Sequence, residues 1–254
     1  SGTYSLIITD ENGCSITEDY QITQTNAMSV SGVISDYTGY GVSCNGANDG
    51  SIDITVSGGT GEYTYVWDNG QTTQDISDLV AGTYSVIVMD ENGCTISAEY
   101  IITQTEQLSI SAVLSDYDGY GVSCNSQMDG SIDITVLGGT GSYNYTWSNN
   151  STTEDLTGIG AGIYFITAID DNGCSVSISI EILEADAIQI DVDLITPGPH
   201  INGDISQGFG AIDISVWGCD NEVYTYNWSN GGTTEDIAGL FAGTYNVVVT
   251  NSLG

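Results

Sequence analysis

An all-β chain of tandem sandwich modules is what this sequence predicts. Three features lead there: a repeat of 80 residues, period-two alternation of apolar and polar side chains inside each repeat, and no useful stretch of helical periodicity. Cys14, Cys94 and Cys174 stand 80 residues apart, as do Cys44 and Cys124. GVSCN recurs at 41–45 and 121–125 and DGSIDITV at 49–56 and 129–136, with a diverged GAIDISV at 210–216. SGTYSLIITD at the N-terminus returns as AGTYSVIVMD from Ala81, AGIYFITAID from Ala161 and AGTYNVVVT from Ala242. Residues 1–25 are therefore expected to be the C-terminal strands of a preceding repeat. Residues 26–105 and 106–185 are two whole repeats, and 186–254 is a diverged one lacking its last strand. The stretch opens and closes at the same phase, as a slice of a longer array would.

Within the first whole repeat, Met28, Val30 and Ile34 supply an opening strand. Ile52, Ile54 and Val56 alternate with Asp53 and Thr55, which puts one face in the core and the other in water. The turn Gly58-Gly59-Thr60-Gly61 leads into Tyr63, Tyr65 and Trp67, and Ile76 to Leu79 form a short edge strand. Tyr84, Val86 and Val88 follow, and Asn92-Gly93 turns the chain into Ile96, Ala98, Tyr100 and Ile102. Six or seven short strands with a Trp on the third describe an immunoglobulin-like or fibronectin-III-like sandwich. Trp67, Trp147 and Trp228 point inward by the Tyr-x-Tyr-x-Trp alternation. The segment Leu79-Val-Ala-Gly-Thr-Tyr84 suits a tyrosine corner, so Tyr84, Tyr164 and Tyr245 are assigned to the core as well. Trp217 points outward by parity and reads as a module–module contact.

The string SCNGANDGSIDITVSGGTGEYTYVWDNGQTTQDISDLVAGTYSVIVMDENGC, from Ser43 to Cys94, resembles the SprB-type repeat, the module reiterated in giant cell-surface adhesins of gliding Bacteroidota. The second repeat matches over its whole length and the third departs from it. The resemblance implies export by the type IX system, a place on the cell surface, and a role in adhesion or gliding. It implies no ligand and no catalytic residues.

Charge narrows the partners. With 34 acidic side chains and no Lys or Arg, the formal charge is -34. No basic footprint exists for nucleic acid, no positive patch for anionic lipid, and no guanidinium fork for phosphate. Trypsin-like proteases find no cleavage site, which suits a protease-rich exterior. No apolar run approaches the ~20 residues of a membrane-spanning helix. Self-repulsion, screened only over about 8 Å in physiological salt, favours modules strung out as an extended rod.

Catalysis finds little to work with. His200 is the single histidine, and no Ser/His/Asp or Cys/His set recurs with the period. Tandem near-copies favour reach and multivalency over one active site, so no enzyme is expected. Calcium is the one cofactor the loops suggest. Asp10, Glu11, Asp90, Glu91, Asp170 and Asp171, with Asp49 and Asp129, make oxygen-rich turns of the kind hard cations favour. None has EF-hand spacing, and solvated turn residues are the plainer reading.

Six cysteines in an exported acidic chain suggest disulfides, since no Cys-x-x-Cys or Cys-His pattern occurs. Pairing within a repeat would join Cys44 to Cys94 and Cys124 to Cys174. In a sandwich of this connectivity those loops lie at opposite ends, roughly 20 Å apart, against a ~7 Å limit on the Cα separation of a bridge. Pairing between repeats would join Cys44 to Cys174 and bring Cys124 to Cys219, leaving Cys14 and Cys94 for repeats upstream. Both schemes stand at this point. In the third repeat Asp204 occupies the place of the first-loop cysteine, within the segment that holds both prolines and His200.

The sequence thus reads as a stalk segment whose partners are neighbouring repeats of the same chain and other copies in a filament. The rivals are a fibre subunit joined by strand addition and a carbohydrate-binding array with tyrosines as the stacking surface.

Overall fold

The computed structural model describes residues 1–197, 210–219 and 223–251. His200 and Asp204 lie outside them. Among the described residues there are nineteen strands and no helix. In order they are β1 Gly2–Thr9, β2 Ser15–Ile22, β3 Ser29–Ile34, β4 Gly50–Ser57, β5 Thr64–Trp67, β6 Ile76–Leu79, β7 Gly82–Met89 and β8 Thr95–Ile102. Then come β9 Ser109–Leu114, β10 Gly130–Leu137, β11 Asn144–Trp147, β12 Leu156–Ile159, β13 Gly162–Ile169 and β14 Ser175–Ile182. The third repeat contributes β15 Gln189–Thr196, β16 Gly210–Trp217, β17 Thr225–Trp228, β18 Ile237–Leu240 and β19 Val247–Thr250.

Each whole repeat has six strands in two antiparallel sheets: β3-β4-β6 with β5-β7-β8 in the first, β9-β10-β12 with β11-β13-β14 in the second. This is the A-B-E and C-F-G arrangement of an immunoglobulin-like sandwich, without the optional strands between C and E. The third repeat shows β15-β16-β18 and β17-β19. The β1-β2 hairpin pairs Tyr4 with Tyr20 as β7-β8 pairs Tyr84 with Tyr100.

By contact the chain falls into two compact units. One comprises Ser1–Leu108 with Gly138–Ser142 and Asp170–Cys174, and the other comprises Ser109–Leu137, Tyr143–Ile169 and Ser175–Gly254. Two turns of the second repeat therefore belong with the body of the first.

Both sheets of the first repeat feed one core. Ile52, Ile54, Ile76 and Leu79 come from one sheet, and Trp67, Tyr84, Val86, Val88 and Ile102 from the other. Alternation along β4 is strict, with Ile52 and Ile54 fully buried and Asp53 and Thr55 exposed. Trp67 and Trp147 are each 2% exposed and Trp228 4%. Their indole Nε1 atoms donate to the carbonyls of Thr73, Thr153 and Thr234, each at 2.9 Å, so none of these buried indole donors is left unpaired. The tyrosine corner forms three times: Tyr84, Tyr164 and Tyr245 donate to the carbonyls of Val80, Gly160 and Phe241. Only Tyr84 is buried. Tyr164 and Tyr245 make the same bond and are half-exposed. Trp217 ends β16 and is 47% exposed.

Where β4 and β6 meet, the ladder slips at a bulge between Gly50 and Ile52. The amide of Ile54 turns instead to the carboxylate of Asp75 at 2.9 Å, and Ile134 and Ile214 do the same with Asp155 and Asp236. In the third repeat Asp236 stands beside Asp213, and this like charge, reinforced by Asp193 and Glu235, pushes the Asp213 carboxyl above its ordinary value.

Packing between A and G strands diverges in a compensated way. A Cβ on Gly32 would meet the Tyr100 ring at 2.5–2.8 Å, and Tyr100 in turn packs on Trp67 with ring centroids 6.2 Å apart. The second repeat has Ala112 and Ile180 at these places. A larger strand-A residue thus comes with a smaller strand-G one.

Two outcomes follow from this packing. Gly32→Ala should destabilise the first repeat by about 1–3 kcal/mol through overpacking, and Tyr100→Ile in the same chain should recover most of it, read by urea denaturation. Asp213 has a raised carboxyl, so its contribution to stability is fully present below the ordinary carboxylate value and is lost as pH rises through its folded value. Asp213→Asn should therefore melt above wild type at pH 7 and with it below pH 3.8, and the neutral-pH difference should vanish near 1 M salt, where screening reaches about 3 Å.

Candidate functional site

The cysteine loops tie together residues far apart in sequence. The receiving half is the A–B loop. Ser35 starts it, donating its hydroxyl to the Gly41 carbonyl at 2.6 Å and accepting from the Ser51 amide at 2.9 Å. A tight turn follows, in which Tyr37 and Tyr40 exchange backbone hydrogen bonds while Thr38 and Gly39 take φ of 51° and 95°. The amides of Gly41 and Val42 then donate to the Thr103 carbonyl, and fully buried Val42 pins the loop to the core. The Ser43 amide donates to Asp49 Oδ1 at 3.1 Å, and Asn45 Nδ2 to the Thr105 carbonyl at 2.8 Å. The Ser43 hydroxyl, bonded to Asp49, holds that carboxyl below its usual value. Cys44 is thus presented by a loop fixed at both ends. The second repeat builds the same loop, with Ser115 donating to Gly121, and Ser123 donating to Asp129 through both its amide and its hydroxyl.

The entering half is the F–G turn, Asp-Asp-Asn-Gly-Cys at 170–174. Asp170 is 3% exposed, a position in which an ionised carboxylate is costly unless its oxygens are filled. Oδ1 accepts the amides of Asn172 at 3.1 Å and Cys174 at 2.8 Å. Oδ2 accepts the Thr140 amide at 2.9 Å and its hydroxyl at 3.3 Å. Gly173, at φ 85°, supplies the left-handed step that brings its amide to the Asp170 carbonyl. The neighbouring Asp171 carboxylate takes the Ser142 amide at 3.1 Å.

The two halves meet within the first compact unit. Asn172 Nδ2 donates to the carbonyls of Tyr37 at 3.3 Å and Ser43 at 3.1 Å, and the Thr38 hydroxyl shares its one proton between the Tyr37 carbonyl at 2.8 Å and Asn172 Oδ1 at 3.1 Å. Cys174 Sγ lies 3.2 Å from the Ser43 carbonyl oxygen and is bonded to Cys44, with Cα atoms 5.7 Å apart. In the second unit Cys124 is bonded to Cys219, at a Cα separation of 4.8 Å. Neither Cys44–Cys94 nor Cys124–Cys174 is formed. Cys14 and Cys94 are free and exposed.

The acidic turns have a structural occupation. Asp90, 4% exposed, repeats the Asp170 pattern with the amides of Asn92, Cys94 and Thr60, and Asp10 accepts from Asn12 and Cys14. Asp49 and Asp129 are engaged by Ser43 and Ser123. Glu11 and Glu91 are exposed. Among the described residues no three His, Cys, Asp or Glu side chains converge on a point where they could hold a metal ion. The Asn172 amide as the recognising group is not an obvious reading of an oxygen-rich loop. Its signal was an Asp four residues before Cys in all three copies, the mark of a carboxylate-capped turn.

Removing the capping carboxylate should expose this dependence. Asp170→Ala leaves three amides without their acceptor and should cost about 2–4 kcal/mol in chemical denaturation. It should also slow re-formation of Cys44–Cys174 after reduction, followed by non-reducing peptide mapping.

Comparison with known proteins bears on the A–B loop directly. No curated protein matches the chain. Among solved structures it is similar to the N-terminal eight immunoglobulin domains of Down syndrome cell adhesion molecule isoform 1.30.30, at 13% identity and TM-score 0.28, covering 82% of this chain and 34% of that one. It is also similar to a 282-residue C-terminal fragment of intimin, solved with the intimin-binding domain of its translocated receptor, at 10% identity and TM-score 0.28, covering 74% and 60%. A Ca2+-stabilised adhesin with which an Antarctic bacterium binds ice gives 17% identity and TM-score 0.31, covering 98% and 73%. The chain thus spans only part of the first two, and the fold rests on its own sheet topology. The family model described as SprB repeat matches residues 42–72 and 122–152, from the cysteine-bearing A–B loop through the core tryptophan. The SprB repeat model thus matches once in each whole sandwich.

Proposed function

We propose that the chain is a non-catalytic, load-bearing stalk segment of an exported, repetitive cell-surface adhesin or filament, serving adhesion and gliding motility. Its partners in this reading are neighbouring repeats of the same long chain and other copies in a filament, and its setting is the oxidising cell exterior, where disulfides persist.

One observation carries the reading: Cys44, in the A–B loop of one repeat, is covalently joined to Cys174, in the F–G turn of the next. Tension applied to the two ends of the chain would cross that bond directly. Every strand from β4 to β13 lies between the two cysteines and would be bypassed. A sandwich resists pulling by its hydrogen-bonded ladders and its core, and both give way on a timescale of unfolding. A disulfide does not. Placing the bond across repeats spares most of two cores from load, a property useful in a tether and irrelevant to turnover. The lack of Lys and Arg removes trypsin-like cleavage sites from such a tether as well.

Single-molecule pulling by the chain ends tests this. The bridge spans 130 residues, so the oxidised chain should fall short of the reduced chain's full extension by about 450 Å at roughly 3.3–3.6 Å per residue. Equal extensions before and after reduction would refute a load-bearing role for the bond.

A further inference from the structure

We infer that the Asp-Glu-Asn-Gly-Cys turn at 90–94 is a docking surface for the Ser-Cys-Asn loop of another repeat of this kind, engaged by the Asn92 amide and locked by a disulfide from Cys94. This rests on the reading of the chain as one segment of a repeat array. The turn that has found its partner and the turn that has not are built alike. In 170–174 the Asp170 amide reaches Cys174 O at 3.0 Å and the Gly173 amide reaches Asp170 O at 3.0 Å, and in 90–94 the corresponding distances are 3.0 and 3.0 Å. The amides of Asn92 and Cys94 reach Asp90 Oδ1 at 3.0 and 2.8 Å, against 3.1 and 2.8 Å for Asn172 and Cys174 on Asp170. The Thr60 amide fills Asp90 Oδ2 at 3.0 Å as Thr140 fills Asp170 at 2.9 Å. The frame is therefore set before any partner arrives, and little ordering cost remains to be met on docking. One capping contact differs, the Thr140 hydroxyl reaching Asp170 while the Thr60 hydroxyl has no partner, and the larger difference is occupancy: Asn172 and Cys174 are half-buried against Tyr37, Thr38 and Ser43, while Asn92 and Cys94 are exposed and Cys94 keeps its thiol.

The partner's chemistry follows from the occupied copy. It presents two backbone carbonyls to one amide, a cysteine beside the second carbonyl, and a hydroxyl that shares its proton between the first carbonyl and the Asn side-chain oxygen. Both Ser-Cys-Asn loops of this chain are taken, Cys44 by Cys174 and Cys124 by Cys219, so the loop must come from a further repeat. The hydroxyl also sets specificity. The second loop has Asp118 where the first has Thr38, both at positive φ. An ionised carboxylate there has no proton to donate and would face the Asn oxygen as a second acceptor. That loop is engaged by Cys219 of a different turn. The fitting partner is thus a loop of the Thr-Gly-Tyr-Gly-Val-Ser-Cys-Asn type. The covalent step is thiol–disulfide exchange with a small-molecule disulfide as oxidant. The two cysteine thiols lose two protons and two electrons and form one S–S bond, and the small disulfide is reduced to two thiols.

The test uses full chains. The donor carries Cys14→Ser and so has Cys94 as its single free thiol. The acceptor carries Cys14→Ser, Cys94→Ser, Asn172→Asp and Cys174→Ser, which vacates the Cys44 loop. Mixed with oxidised glutathione, they should give a Cys94–Cys44 heterodimer, identified by peptide mapping, faster than the Cys94–Cys94 homodimer. Asn92→Asp in the donor, or Thr38→Asp in the acceptor, should slow it at least tenfold. A heterodimer rate indifferent to both substitutions, or one matched by the homodimer, overturns the inference. A second measurement is independent of acceptor folding: Asn172→Asp in the otherwise native chain should slow re-formation of Cys44–Cys174 and leave Cys124–Cys219 unchanged. Equal slowing of both bridges also overturns it. The pulling measurement depends on Cys44–Cys174 alone, so failure of docking would leave the load-bearing reading standing.

Discussion

Carboxylates with no cationic side chain to meet them govern this structure. In a chain holding 34 acidic side chains and no Lys or Arg, an acid that enters the interior has no basic partner and is met here by N–H groups and hydroxyls. The fold uses this repeatedly. Asp75, Asp155 and Asp236 take the amides of Ile54, Ile134 and Ile214, just past the last B–E pair of each ladder. Asp49 and Asp129 hold the cysteine-bearing A–B loop through Ser43 and Ser123. Asp90 and Asp170, nearly fully buried, gather the amides of their own turns and of the facing B–C turn. Charge-assisted hydrogen bonds of this kind are shorter and stronger than neutral ones, and each one also fixes a backbone geometry. The cysteine four residues after each such Asp inherits that geometry.

On this frame the bridge between repeats becomes intelligible. A disulfide needs Cα atoms within a narrow range of separations, and flexible loops rarely hold it. Here the entering turn is fixed by Asp170 and the receiving loop by Thr103, Val42 and Asp49. The Asn172 side chain, shared between two carbonyls, holds them in register beside the bond. Closing a loop of this length is expected to stabilise the folded chain by roughly 4–5 kcal/mol on the chain-entropy model. That gain acts against the self-repulsion of an uncompensated net charge of -34.

The repeats diverge where packing allows it. Gly32 with Tyr100 and Ala112 with Ile180 solve the same A–G contact with opposite sizes. Cys219 replaces the glycine found at 59 and 139, keeping that residue's amide bond to the chain entering the repeat, here to Asp186. A Cβ at Gly139 would sit 2.6 Å from the Asp170 carboxylate, and at Gly59 3.0 Å from that of Asp90. The third repeat has Asn251 in place of that Asp, and only there does the turn carry a side chain. The third repeat thus reaches an A–B cysteine from its B–C turn, where no capping acid stands in the way.

The sequence by itself determined the repeat period, the all-β character, the strand order and the inward tryptophans. Each of these follows from local periodicity and from side chains that must be buried or solvated wherever the chain goes. It also narrowed the cysteine pairing by a length argument. Tertiary structure decided the rest. That Asp170 caps its turn depended on which amides came within reach, Thr140 being thirty residues away in sequence. That Asn172 reads the carbonyls of Tyr37 and Ser43 is likewise a matter of groups distant in sequence meeting at about 3 Å. Local pattern records which face a side chain takes, but a hydrogen bond depends on distance and direction, and those exist only once the sheets have closed on one another.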